Sequence, residues 1–442
     1  MSETLNLVQE LIRNACVNDG TPESGHEERS VASLIRYLGE PEQVFEPLPG
    51  RQSVLYRVPG TSNGPSLMLM GHLDVVPVTL AGWSHDPFAG VVADGFLWGR
   101  GAVDMLNVTG AMAVAFRRYL AGELAPLAGD LLYLAVADEE AGGAHGAGYL
   151  TEHHWQAVAA DYVLCEIAYP ALGEGELARP TVNVGEKGPF WRRVFSKGVP
   201  GHGSQPYATD NALVPIARAF AALAEADTPV SISDEWRAFV EAGPFEESMK
   251  EALVDPDTVD EAIDRLAVSD PLLARYAHAC THMTIAPTVL TAGGKANVIP
   301  DAAEGSLDVR VLPGQDDATF DDHLRKVLGA DADRLEVQRV LNHPPTSSPS
   351  EGVLWEALAD AHETLSGARQ MIPVLTPAAT DSRLWRARGA TAYGAGWFDD
   401  RVDFGTFLSM FHGHDERISL ASLDRTERFL SATVAAFGRR TS

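Results

Sequence analysis

Three short stretches of this chain are almost wholly apolar, and each stops on a histidine or an acid. Ser66-Leu67-Met68-Leu69-Met70 leads into Gly71-His72-Leu73-Asp74, the run from Leu131 to Ala137 into Asp138-Glu139-Glu140, and Tyr162-Val163-Leu164-Cys165 into Glu166. A strand with one solvated face alternates apolar and polar residues. These runs do not, so they read as strands of a sheet covered on both faces by helices. Open sheets of that kind place their sites beyond the carboxyl ends of the strands. One pattern thus predicts an α/β core and the edge of it where chemistry gathers.

In extended chain, residues two apart share a face, so Asp74 is expected to reach the second imidazole nitrogen of His72, one a metal ligand and the other its orienter. A His-x-Asp triplet alone is just as common in an ordinary surface loop. Three adjacent acids against a core strand repel one another and lose solvation, and a nearby cation compensates; the alternative is a solvated acidic turn. Asp104 closes Gly99-Arg100-Gly101-Ala102-Val103-Asp104, ahead of a helical stretch from Gly110 to Leu120, and the glycines let backbone pack tightly around the acid. No Gly-x-Gly-x-x-Gly opens a helix and no phosphate loop is present, so no dinucleotide site is predicted.

These residues fall within a longer ordered series: His72-Leu73-Asp74-Val75-Val76-Pro77, Trp98-Gly99-Arg100-Gly101-Ala102-Val103-Asp104-Met105, Glu139-Glu140, Glu166, Gly185-Glu186-Lys187-Gly188, Gly201-His202-Gly203, Asn297-Val298-Ile299-Pro300, Asp308-Val309-Arg310, Thr380-Asp381-Ser382-Arg383 and His412-Gly413-His414-Asp415-Glu416. In this the chain resembles the co-catalytic zinc hydrolases of metallopeptidase family 20, which include aminoacylase-1, carboxypeptidases G and S and succinyl-diaminopimelate desuccinylase. The resemblance implies a three-layer αβα catalytic domain with a mixed sheet, formed by residues 1–182 and 316–442. An inserted α+β, ferredoxin-like lid would span 183–315, with a helical insertion near 231–279 whose simplest role is to decorate the lid.

It further implies that His72 and Glu166 bind one metal, Glu140 and His412 a second, and that Asp104 bridges them. Glu139 is then the general base and Asp74 the partner of His72. His202 donates to the oxyanion, while Arg310 and Asn297 hold the substrate's carboxylate or acyl end, a geometry suited to a bidentate arginine. Three carboxylates and two neutral imidazoles leave two divalent ions with one net positive charge. Imidazole and carboxylate without thiolate suit Zn(II) and admit Co(II) or Mn(II). The expected activity is hydrolysis of a dipeptide or N-acyl amino acid, by water activated between two metals with Glu139 as base. A dedicated deacylase of one biosynthetic intermediate, or a non-catalytic binding protein, are the alternatives; the latter predicts loss of a ligand or of the base, and all six positions are filled. Relatives also dimerise through the lid, making a homodimer a further expectation. Leu106-Asn107 and Ala378-Ala379 depart from the family pattern, as does Trp397-Phe398-Asp399-Asp400, where Trp397 and Asp399 are expected to shape a specificity pocket.

With 442 residues and 45% hydrophobic content the chain is long enough for two cored domains. A balance of 34 basic against 61 acidic residues, −27 net, speaks against nucleic acid and anionic membranes as partners. Met1 to Ala15 shows an amphipathic helical pattern without a signal core, and three scattered cysteines make no disulfide framework, so a soluble cytoplasmic enzyme is expected.

Overall fold

The computed structural model describes residues 2–442 except 168, 174–178 and 400, so Met1 and Asp400 of the motifs above lie outside it. All three apolar runs are strands of one nine-stranded mixed sheet. Its path runs Gln43–Leu48, Arg51–Val58, Leu131–Val136, Leu67–His72, Tyr162–Cys165, Thr391–Ala395, Thr181–Glu186 and Thr346–Ser347, with Ile372–Thr376 also paired to Thr181–Glu186. Leu67–His72 runs parallel to both neighbours, with Leu67 opposite Leu131 on one side and Tyr162 on the other. The carboxyl ends of these strands therefore open on one edge, and every residue of Leu67–His72 and Leu131–Val136 is buried.

Helices cover both faces, giving the three-layer α/β architecture. Glu3–Asn14, Leu106–Leu120, Val353–Ser366 and Leu420–Thr441 bury Val8, Phe116, Leu358 and Val434 against one face. The shorter Ala147–His153 and Ser382–Arg386 bury Leu150 and Trp385 against the other. The helix after Asp104 lies so close to the central strand that a Cβ on Gly71 would sit 2.4 Å from the Thr109 hydroxyl oxygen. That hydroxyl donates to the His72 carbonyl at 3.0 Å. Glycine is needed there because of close approach rather than because of its own φ.

A second, antiparallel sheet comprises Thr284–Ala292, Ala302–Val311, Arg192–Lys197 and Leu335–Arg339, with Gly188–Pro189 joined to Ala302–Val311. Leu213–Glu225 and Asp317–Leu328 pack Ile216, Phe220, Phe320 and Leu324 onto it. The β-α-β-β-α-β succession is ferredoxin-like. It continues past the boundary expected at 315, because Leu335–Arg339 pairs with Arg192–Lys197 and completes the sheet. The helical insertion does not merely decorate this unit. Trp236, Phe239 and Tyr276 belong to the core cluster of the large sheet, and the Tyr276 hydroxyl donates to the Leu375 carbonyl at 3.0 Å. The segment expected to decorate the lid thus packs its aromatics on the first domain.

Replacing Gly71 with Ala forces an extra methyl into the strand–helix contact and is expected to destabilise the protein by about 1–3 kcal/mol, read as a lower urea midpoint at unchanged m-value.

Candidate metal centre

His72 ends its strand facing two carboxylates: its Nε2 lies 3.2 Å from Asp104 Oδ1 and 3.6 Å from Glu166 Oε2. On the other side, His412 Nε2 lies 3.5 Å from Asp104 Oδ2 and 3.2 Å from Glu140 Oε2. Asp104 thus turns one oxygen to each histidine and stands between the two pairs. His72, Asp104 and Glu140 bring ligand atoms within 4.8 Å of one another, as do His72, Glu139 and Glu166. The six residues, from five separate segments of the chain, converge at the sheet edge.

Asp74 does its orienting differently from the sequence expectation. The close partner of His72 Nδ1 is the Asp74 main-chain carbonyl at 2.9 Å, and the carboxylate oxygen is 3.6 Å away. A carbonyl only accepts, so Nδ1 carries a proton, and Nε2 is left facing Asp104, to which it donates until a metal takes its lone pair. The freed Asp74 carboxylate accepts the amide of Glu139 on Oδ1 at 3.2 Å and that of Glu140 on Oδ2 at 3.1 Å. One aspartate therefore fixes both His72 and the acidic turn. That turn begins at Asp138 in a left-handed conformation, φ 67°, whose carboxylate accepts the His145 amide at 2.8 Å.

Glu416 has an equivalent task, and the sequence reading left it without one. Its Oε1 accepts the amides of Val103 and Asp104 at 2.7 and 2.9 Å, and its Oε2 accepts from Gly101 at 3.1 Å and from the Arg100 guanidinium at 2.7 Å. The loop carrying Asp104 is thereby tied to the loop carrying His412. The available signal was an acid four residues beyond His412 together with a lone arginine between two glycines. Asp381 is also buried here, 3.7 Å from the Arg383 guanidinium, with no hydrogen bond to either carboxylate oxygen.

Electrostatically the cluster is under tension. Burial, then Glu166 and Asp381, push Glu139 well above the usual carboxylate range. Burial and then Asp104 push Glu140 up to about 7, and Glu166 also rises to about 7, chiefly through burial. For Asp104 burial acts upward but is outweighed by hydrogen bonds from His412 and His72, so it stays ionised to low pH. His412 rises to about 10 on its bonds to Asp104 and Glu140; burial opposes the rise of His72, which Asp104 and Glu166 nevertheless lift. Buried Glu140 Oε1 and Glu166 Oε1 have no hydrogen-bond partner. Orphaned carboxylate oxygens beside two imidazoles fit divalent cations.

The residues expected to bind substrate stand apart. His202 pairs with Val298 in a short ladder that brings it beside Asn297, both exposed, and its Nδ1 lies 2.7 Å from the Ser204 hydroxyl. Arg310 is held by Asp308, Nε to Oδ1 at 2.7 Å. Among the described residues, none of these three makes a hydrogen bond or ion pair with the His72–His412 cluster. Trp397 and Asp399 are likewise elsewhere: Trp397 rests edge-on against His362, and Asp399 accepts from the Ser419 hydroxyl. Their neighbour Phe398, with Phe411, lines a small apolar hollow opening on Asp104 and Glu166. His414 lies over Gly82, outside the cluster.

A covered mixed sheet with histidines and carboxylates converging at its strand ends defines the class of metal-dependent hydrolases. Residues 68–436 match the model of peptidase family M20/M25/M40, and the chain belongs to that family. It is 29% identical to aminoacylase-1 of Sus scrofa over 426 residues, covering 93% of this chain and 90% of the relative. It is 26% identical to succinyl-diaminopimelate desuccinylase of Methylorubrum extorquens over 444 residues, covering 98% of each. The fold superimposes on the M20 family metallo-carboxypeptidase Sso-CP2 of Sulfolobus solfataricus with a TM-score of 0.72 at 18% identity, covering 99% of this chain and 100% of that one.

Two outcomes are expected. Glu416→Ala leaves Arg100, 2% exposed, without its buried partner and should cost about 3–5 kcal/mol of stability in denaturant titrations. Divalent-ion binding must displace the protons held on Glu140, Glu166, His72 and His412. Glu140 and Glu166 rise to about 7 and His412 to about 10, with His72 displaced in the same direction, so apparent affinity should climb as pH rises from about 7 toward 10, with proton release detected by calorimetry in buffers of different ionisation enthalpy.

Proposed function

We propose that the chain hydrolyses a dipeptide or an N-acyl amino acid, with His72 and Glu166 binding one divalent ion, Glu140 and His412 a second, and Asp104 both. The observation that carries this reading is the two-sided placement of Asp104, one oxygen toward each histidine. Zn(II) suits the imidazole and carboxylate donors best, and Co(II) or Mn(II) fit the same set. When bound, two such ions lower the pKa of water and polarise the amide carbonyl.

Glu139 is the general base. It sits next to Glu140 on the turn fixed by Asp74, and its raised affinity for protons suits a group that takes one from water and passes it to the leaving amine. His202 is the donor to the oxyanion, and Asn297 and Arg310 hold the carboxylate or acyl end of the substrate. For these roles the second domain, or that of a partner copy, must approach the centre. Its edge strand Thr284–Ala292 has no charged residue and exposes Val289 and Leu290, and the adjoining helix exposes Leu213 and Val214, which supports pairing of two chains through this face. Among the described residues no helix is long and apolar enough to cross a membrane.

Glu139→Ala should lower turnover of a dipeptide and N-acyl amino acid panel roughly 10²- to 10⁴-fold while the two-ion stoichiometry is unchanged. Turnover near the wild-type value would refute the base assignment.

A further inference from the structure

Behind Asp74 lies a buried chain of polar groups from the N-terminal segment, upstream of the family match at residue 68. Asn18 Nδ2 donates to Asp74 Oδ2 at 2.8 Å and lies 3.2 Å from Asp138 Oδ1. Asn18 Oδ1 accepts from Arg51 Nη2 at 2.9 Å and from the Gly20 amide at 3.0 Å. Arg51 Nη1 donates to Glu27 Oε1 at 2.8 Å and is 3.6 Å from Asp138. Asn18, Glu27, Arg51, Asp74 and Asp138 are each no more than 3% exposed. An asparagine beside two acids could not flip its amide without turning an oxygen on them. The arginine on the far side makes the assignment one-way, since a guanidinium only donates.

We propose that Asn18, backed by Arg51, is a positioning residue for the metal centre. The Asp74 carboxylate must accept three donors in fixed directions: Asn18, and the amides of Glu139 and Glu140. Asn18 supplies the only side-chain hydrogen bond among them and sets the rotation of that carboxylate; the rotation sets the turn that aims Glu139 and Glu140, while the Asp74 carbonyl fixes His72. Arg51 also brings a full positive charge behind the amide, and low dielectric strengthens each bond of such a chain. The N-terminal segment is in this way part of the site, although among the described residues none of it makes a hydrogen bond or ion pair with the His72–His412 cluster. The inference rests on the metal-centre reading above.

Asn18→Leu separates positioning from anchoring, because it keeps the side-chain volume and removes the donor facing Asp74 while Arg51 retains Glu27. Asn18→Ser removes the reach without adding charge. Divalent-ion binding is measured by calorimetry on metal-depleted protein with zinc as the probe, beside kcat and KM of the reloaded enzyme, with the fold checked by circular dichroism. Both variants are expected to fold, to lose roughly 10- to 100-fold in zinc affinity, and to lose kcat with little change in KM, as outer partners of metal ligands do. Wild-type zinc affinity and kcat in both folded variants overturn the proposal, and so does loss of the fold in both, which would make Asn18 an anchor of the fold alone. If the wild-type chain itself takes up no zinc, the metal-centre reading fails instead.

Discussion

The constraint on which the rest depends is the crowding of like charge at one dry sheet edge. Asp104, Glu139, Glu140 and Glu166 arrive there on two strands and a glycine-rich loop, with Asp381 beside them. In low dielectric their repulsion and desolvation favour neutral forms, and the upward displacement of Glu139, Glu140 and Glu166 expresses that tension. Two histidines relieve part of it. Divalent cations would relieve more, and this is why the arrangement suits a metal centre better than a proton relay.

Holding such a cluster open requires rigid supports, and the fold supplies them in pairs. Asp74 accepts the two amides of the Glu139–Glu140 turn, and Glu416 accepts three amides of the Asp104 loop. Each support is a buried carboxylate with its own cationic backing, Arg51 through Asn18 for one and Arg100 directly for the other. The site is thus a first ring of acids aimed by a second ring of acids, with arginines outermost. Removal of any outer member leaves a buried charge exposed to its like neighbours.

The sheet and its functional edge were legible because they rest on local signals, an unbroken apolar run and the polar residues that stop it. The convergence of His72, Asp104, Glu140, Glu166 and His412 followed the family motifs. What was not legible depends on contacts distant in sequence. Asp74 was read as a side-chain partner of His72, but the strand end turns its carbonyl to the ring and frees the carboxylate for the next loop. The end of the second sheet was misplaced because Leu335–Arg339 has no alternation strong enough to mark it, and only pairing with Arg192–Lys197 defines it. The insertion's aromatics gave no sign of which domain they seal.

Anomalous diffraction at the zinc edge, from crystals grown with zinc-loaded protein, tests the central claim most directly. The account predicts two peaks, one among His72, Asp104 and Glu166 and one among Asp104, Glu140 and His412, with Asp104 reaching both. A single peak, or peaks that leave Asp104 unligated, would contradict it.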